Sequence, residues 1–534
     1  MNVTWVHFGS IVSYPAGPDS TLASARYRIL IPGRELARRG HAVRYARFHT
    51  NADGRAIMAA GHGDVVVVSK LSSTCAVATR YFARKTMSLM ERLRARGVRV
   101  VVDLSDYQFE KPELAVFMES LPGLCDGAVA CTQELAEALR ARAGIQAQVI
   151  GDPVEGARSA ARAPRPGGAL RVLWFGHQSN LATLEAFVPA LRDYARRAPV
   201  SLRVVTAANA GAERLVADGP LPVAVTAWSR QAQAEALAEC DVVIIPSRVD
   251  TAVQRSKSAN RIVESAWAGR FAVASPLPSY RVLAQWMWVD EDLIAGLEFA
   301  RSHAEEVKDR ISAAQSYIGI HHSPERIADR WEEILRRVAR GPAGRPLRGA
   351  GRSAADAPIH VHLGNGTGNL DGCLNIHLEP ARAAPPPDIV CDLNDLVYLE
   401  DASIDGLSAV QVLQHFTPRL AEAAVAEWRR VLRPGACLAV ECPDLQALCR
   451  AVSEGGAADP EILTGLFGEA AEHGTRLPYR SGYTAESLIA LFGRAGFVRV
   501  RREAPRIGQG AWVVRVVGEA PGKGQEKKGP RTEG

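Results

Sequence analysis

Three cations, Arg255, Lys257 and Arg261, crowd the front of one helix-length stretch, "RSKSANRIVESAWAGR", set between the apolar runs "DVVIIPS" (Asp241–Ser247) and "FAVASP" (Phe271–Pro276). A helix N-terminus already carries positive partial charge, so cations there repel it. They become favourable once an anion, above all a phosphate, sits among them, because side chains, free N–H groups and the helix dipole then face one charge. With Lys257 to Gly269 placed on a helix at about 100° per residue, Lys257, Asn260, Arg261 and Glu264 share one arc. Ile262, Val263, Ala266 and Trp267 lie opposite. Glu264 then stands where it can accept hydrogen bonds from sugar or ribose hydroxyls. A solvated polar face is the alternative. The position after a strand, and the lack of an acidic partner before Glu264, favour the anion site.

Other residues could also do chemistry. "DLSD" puts Asp103 and Asp106 at the end of a strand-like run, where a carboxylate can serve as general base or cap a loop. "LGNGTGN" puts Gly364, Gly366 and Gly368 directly after another strand, either as a tight turn or as a loop that lets a cofactor approach the backbone. The nine cysteines are scattered, with no CxxC pair or metal-ligand spacing, so no metal and a reducing compartment are expected.

The frame for these residues is an α/β alternation. Apolar runs such as "DVVVVS" and "VRVVVDLSD" are separated by amphipathic segments, which implies parallel sheets covered on both faces. Residues 1–155 form one such unit. A Pro/Gly/Arg/Ala stretch (Glu155–Ala169) reads as a linker, and a second unit runs over 170–340. A further linker, 341–358, leads to a third unit at 359–517, and the Gly/Pro/Lys-rich tail 518–534 reads as disordered. The first two doubly wound units should enclose a cleft at the carboxyl ends of their strands.

With 534 residues, 47% hydrophobic and 23% charged, the chain is long enough for about three domains. A net charge of +6 is too dilute for a nucleic-acid partner. No run reaches the ~18 apolar residues of a membrane span. "MNVTWVHFGS" reads as a first strand and not as a signal peptide, so a cytoplasmic chain is expected.

"KSANRIVESAWAGRFAVASPLPSY" resembles the donor-binding segment of GT-B glycosyltransferases, especially family-4-like and family-1-annotated bacterial ones. The resemblance covers about residues 1–340. It implies two Rossmann-like domains, with Lys257 and Arg261 on the diphosphate of a nucleotide-sugar and Glu264 on its ribose; Asn260 joins them on the donor side. It departs at Ser256, where many such enzymes carry a second glutamate that contacts the donor sugar. "STLASARYRILIPGRELARRGHAV" (Ser20–Val43) resembles the first loop and helix of the same enzymes. There Arg26 and Arg28 would approach acceptor and phosphates. "LWFGHQSN" resembles the first loop of their second half, with Gly176 allowing close approach and His177 and Asn180 bordering the cleft.

"VHLGNGTGNLDGCLNIHLEP", "PDIVCDLNDL", "DASIDGLSAVQVLQHF" and "GYTAESLIALFGRAGF", in that order, resemble a class I, type-11-like methyltransferase that uses S-adenosylmethionine. The resemblance implies that Gly364, Gly366 and Gly368 admit the methionine moiety. Asp392 would lie near the adenine, and Gln414 and His415 beside the transferred methyl. Where the family has a ribose-clasping aspartate, this chain has His377; Glu379 is the nearest carboxylate. An imidazole makes one such hydrogen bond where a carboxylate makes two charged ones.

These resemblances imply a glycosyltransferase that moves a sugar from a nucleotide-sugar to a glycan or lipid-linked precursor, fused to a methyltransferase acting on the same glycan. The alternatives are a non-catalytic glycan-binding or nucleotide-binding scaffold with decayed domains, and a GT-B-fold sugar-nucleotide epimerase. The basic stretch Arg80–Arg99 either rests on anionic lipid at the inner membrane face or covers a sheet with its charges in water; the second is preferred.

Overall fold

The computed structural model describes residues 1–8, 11–15, 17–61, 64–69, 76–165, 167–207, 213–216, 219–341, 357–364, 369–378, 386–456, 459–468, 478–506 and 512–522. The chain forms two compact units. The first comprises Met1–Phe48, Ala56–Lys70 and Leu89–Arg348; the second comprises His49–Arg55, Leu71–Ser88 and Gly349–Gly534.

The first unit holds two all-parallel six-stranded sheets. One uses β1 (Asn2–His7), β4 (Ala42–Arg47), β5 (Val65–Val68), β6 (Arg99–Leu104), β7 (Gly127–Ala130) and β8 (Ala147–Val149), in the order β4-β1-β5-β6-β7-β8. Its central strands are buried on both faces, as β-branched runs such as "VVVV" in β5 require. The other uses β9 (Leu170–Phe175), β10 (Val200–Thr206), β11 (Val223–Ala227), β12 (Val242–Ile245), β13 (Phe271–Ala274) and β14 (Trp288–Val289), in the order β11-β10-β9-β12-β13-β14. The order reverses between β9 and β12, so the crevice above their carboxyl ends is the place for a ligand. A small antiparallel hairpin, β2 (Val12–Tyr14) with β3 (Gly17–Asp19), has no counterpart in the pattern read from the sequence.

The chain returns to the first sheet after building the second. The helix Pro324–Arg340 starts on a Ser323 cap and buries Ile327, Trp331, Ile334, Leu335 and Val338 on one stripe. That stripe joins Val3, Trp5, Val65, Val67, Val101 and Val129 in one core. Trp5 and Trp331 meet edge to face, with ring centroids 5.6 Å apart.

The second unit holds a seven-stranded sheet in the order β17-β16-β15-β18-β19-β21-β20. Its strands are β15 (His360–Leu363), β16 (Leu374–His377), β17 (Ile389–Val390), β18 (Ile404–Val410), β19 (Leu432–Pro443), β20 (Val498–Glu503) and β21 (Val513–Glu519). Only β21 runs antiparallel to both of its neighbours. The order reverses between β15 and β18. The helix segment within 71–88 contributes Val77, Ala78, Tyr81 and Phe82 to this unit's core. Lys85 is buried there, its Nζ donating to the carbonyls of His49 (2.7 Å) and Tyr398 (2.9 Å). Arg84 donates to the Ala357 carbonyl at 2.8 Å and lies 3.6 Å from Asp405. The cations at this end of the basic stretch are thus engaged within the unit. No described helix is long and apolar enough to cross a membrane.

One local expectation is corrected. Lys257 to Gly269 is not one helix: Ala252–Arg255 forms a turn of helix, and a separate helix runs over Asn260–Trp267. A continuous helix would need the Ser256 carbonyl to accept from the amide of Asn260. That carbonyl instead accepts from Thr132 Oγ1 at 3.2 Å. Thr132 also caps the helix Gln133–Ala143 of the first sheet's lobe, so one hydroxyl joins the two lobes and breaks the helix.

Candidate functional site

The break frees Lys257 from the helix and turns it toward the first lobe, where its Nζ lies 3.6 Å from Asp106 Oδ1. Arg261 stays in the first turn of the helix Asn260–Trp267, with Asn260 half-buried beside it. Arg261 Nη1 is buried and has no hydrogen-bond partner among the described residues. It lies against Gly176, the residue after β9: a Cβ there would stand 3.6 Å from that nitrogen and 3.3 Å from the Trp174 ring. Buried guanidinium nitrogens are costly without acceptors. This one sits at the reversal point of the sheet; the hydroxyl of Ser247, which follows β12, is also buried and unpartnered among the described residues. His177 and Asn180 follow Gly176. His177 accepts from the Ser179 amide at 3.2 Å and heads the turn Gln178–Asn180. Arg255 is exposed.

Glu264 is half-buried and already engaged. Tyr27, from the first lobe, donates its phenol to Oε1, and Gln233 donates its amide to Oε2 at 2.9 Å. Gln233 in turn accepts from the Trp228 indole at 2.8 Å. Burial pushes the Glu264 carboxyl up to about 6, with the Tyr27 bond opposing and the charge of Glu155 adding. Burial, then the Glu264 charge, raises the Tyr27 phenol well above its ordinary value, so it remains a donor.

Arg26 and Arg28 take different places. Arg26 is buried and pairs with linker residue Glu155 at 2.8 Å. Glu155 also lies 3.8 Å from Arg230 of the second lobe, and Arg230 pairs with Asp19 in the hairpin. Arg28 is 2% exposed and held by Asp103 at 2.5 Å and Asp152 at 3.1 Å. Two buried carboxylates more than balance one guanidinium, so Arg28 offers no spare positive charge to a phosphate. The same cluster engages Asp103 and leaves Asp106 as the aspartate of "DLSD" that faces Lys257. Sequence reasoning passed over Tyr27, Gln233 and Thr132. Their contacts join residues 237, 31 and 124 positions apart, and no local spacing announces such pairs.

In the second unit, Gly364 follows β15 with φ of 118°, and a Cβ there would strike the Val410 carbonyl at 2.5 Å. Only glycine fits. Gly366, Gly368 and Glu379 lie outside the described residues. His377 ends β16, is 1% exposed, and has neither ring nitrogen partnered among the described residues. Burial lowers its pKa, with Asp388 opposing. Asp392 is exposed after β17 and accepts from the amide and the side chain of Asn394, both at 2.9 Å. After β18, Gln414 is buried with Oε1 unpartnered among the described residues, and its carbonyl accepts from the Arg480 amide at 2.7 Å. His415 Nδ1 is 3.4 Å from the Pro478 carbonyl, and its ring meets Tyr479 edge to face. Gly364 and Gln414 therefore flank the reversal point between β15 and β18, and His377 ends the neighbouring strand.

Residues 373–440 match the family model described as a methyltransferase domain. No curated protein matches the chain in sequence. The solved structure described as "Trehalose-6-phosphate from E. coli bound with UDP-2-fluoro glucose" is 12% identical over 63% of this chain and 99% of that one, with a TM-score of 0.46. The catalytic domain of starch synthase IV from Arabidopsis thaliana, bound to ADP and acarbose, is 9% identical over 63% and 99%, with a TM-score of 0.47. AviGT4, a glycosyltransferase involved in avilamycin A biosynthesis, is 14% identical over 64% and 98%, with a TM-score of 0.41. By its strand orders, the chain is an α/β protein with a GT-B-type pair of Rossmann-like sheets. A methyltransferase domain follows them.

Proposed function

We propose that the first unit transfers a sugar from a nucleotide-sugar donor to a glycan or lipid-linked precursor, and that the C-terminal domain methylates the same glycan. The observation that carries the first half is Arg261 Nη1, buried and without a partner among the described residues, beside Gly176 above the reversal point of the second sheet. A diphosphate oxygen is the acceptor such a nitrogen lacks. In transfer, the bond from the donor sugar's C1 to the diphosphate breaks, and an acceptor oxygen bonds to C1. Arg261, Lys257 and the N-terminus of the helix Asn260–Trp267 face the charge left on the diphosphate. The acceptor's proton goes to a base on the first-lobe side, where Asp106 is the carboxylate nearest Lys257. Calorimetry with UDP and GDP tests this reading, and no heat with either would count for a decayed scaffold.

Glu264 makes donor binding depend on pH. Its carboxyl titrates near 6, so below that pH it is neutral and a weaker acceptor for ribose hydroxyls. UDP or GDP should bind more tightly at pH 7.5 than at pH 5. The nucleotide's own phosphate also titrates, so the informative quantity is the difference from Glu264→Gln, which should show a flatter profile. Identical profiles would remove Glu264 from the ribose site.

One local feature supports an S-adenosylmethionine site in the methyltransferase domain. His377 presents two buried nitrogens, unpartnered among the described residues, at the end of β16. When bound, this cofactor supplies an electrophilic methyl group. His377 would hold a ribose hydroxyl, Asp392 would lie toward the adenine, and Gln414 and His415 would face the acceptor. Because a carboxylate makes charge-assisted bonds about twice as strong as a neutral imidazole's, His377→Asp should tighten S-adenosylmethionine binding, by roughly tenfold if one such bond is gained. Calorimetry reads this directly. A weaker complex in the variant would show that His377 does not face the ribose.

A further inference from the structure

The donor reading gives Glu264 to the ribose, yet both of its oxygens are taken. Oε2 is held by Gln233 from its own lobe, at 2.9 Å. Oε1 is held by Tyr27, which is 3% exposed and belongs to the other lobe. A phenol is a neutral hydroxyl donor, the same chemical group that a ribose presents to a carboxylate. Tyr27 is moreover fixed from behind. Its neighbour Arg26 is paired with linker residue Glu155 at 2.8 Å, and Arg230 of the second lobe pairs with Asp19 of the first. The phenol therefore contributes to a tie between the lobes at the nucleoside end of the crevice.

We propose that Tyr27 is a built-in stand-in for the ribose: its phenol occupies the Glu264 oxygen that a donor hydroxyl takes, so a nucleotide bearing that hydroxyl releases the tie as it binds. The inference rests on the donor reading above and adds a determinant of specificity to it. Ribonucleotides compensate for losing the Tyr27–Glu264 bond by replacing it; nucleotides without the ribose hydroxyls cannot.

The test uses the full chain, with UDP, GDP and their 2′,3′-dideoxy counterparts as probes, titrated by calorimetry into the wild type and Tyr27→Phe. Phenylalanine keeps the buried ring and removes only the competing hydroxyl. The ribonucleotide should bind Tyr27→Phe roughly tenfold more tightly, the size of one hydrogen bond to a charged group. The dideoxy form should change by less than about twofold. In a Glu264→Gln background the effect of Tyr27→Phe should shrink, since the two changes act on one contact. Unchanged or weaker ribonucleotide binding in Tyr27→Phe, or equal tightening of both probe types, would overturn the inference. The two readings fail separately. If the wild type binds neither ribonucleotide, or binds it equally well as Arg261→Ala, the donor reading falls and takes this inference with it. If binding depends on Arg261 and ignores Tyr27→Phe, only the inference falls.

Discussion

Arg261→Ala should weaken UDP or GDP binding about a hundredfold and slow sugar transfer by about a thousandfold. The first figure follows from removing one or two charge-assisted hydrogen bonds to phosphate, each worth about 1.5–3 kcal/mol. The second follows from losing charge stabilisation where the leaving diphosphate develops it. Stability should behave in the opposite way. Arg261 Nη1 is buried without a partner among the described residues, so deleting it removes a desolvation penalty. The urea midpoint of Arg261→Ala should match or exceed that of the wild type while binding collapses. Arg261→Lys keeps a charge but loses the planar fork and should recover only part of the affinity. Calorimetry and release of free nucleotide measure the two effects, and wild-type affinity in Arg261→Ala would end the phosphate assignment.

Arg28→Met should do the reverse, with a large loss of stability. It leaves Asp103 and Asp152 buried without their cation, and breaking a buried pair from one side costs about 3–5 kcal/mol. Burial holds the Asp103 carboxyl above its ordinary value even with Arg28 opposing. Without Arg28 it rises further. A carboxyl whose pKa is raised by folding favours the folded state when protonated, so the deficit of Arg28→Met should be smallest at low pH and grow as pH rises. Adding Asp103→Asn should return part of the loss at neutral pH. Urea midpoints of the single and double variants across pH test this. A midpoint indifferent to Arg28→Met would mean that the cluster contributes no net stability.

Much of the fold was legible because its signal is local. Runs such as "DVVVVS" and "DVVIIPS" are apolar on both faces and separated by helix-length segments, and they became central parallel strands. The Pro/Gly-rich stretch Glu155–Ala169 carries no helix or strand among its described residues, and most of the stretch 341–358 lies outside them. The residues proposed to face the phosphate were legible for a related reason: Gly176 follows one strand of a reversal point, and Arg261 lies in the first turn of a helix on the connection that follows the other. The helix boundary was not legible, because the Ser256 carbonyl is captured by Thr132, 124 residues away. The placement of Arg28 was not legible either. "ARYR" carries alternating cations on one helix, and only the tertiary fold decides that one of them turns inward to two aspartates. Tyr27 lay unremarked between two arginines for the same reason.

The path of the chain has a consequence for its synthesis. The lobe that begins first cannot finish first. Its sheet is complete by Val149, but the stripe of Ile327, Trp331, Ile334, Leu335 and Val338 that closes its core arrives nearly two hundred residues later. The strands of the second lobe all lie between Leu170 and Val289 and its core residues end at Ile318, so that interior is supplied before the helix that closes the earlier one. Along the growing chain the second core is thus complete before the first, against the usual N-terminal-first order of domain folding. Until the helix Pro324–Arg340 arrives, the nascent first sheet leaves Trp5 without the Trp331 ring that covers it.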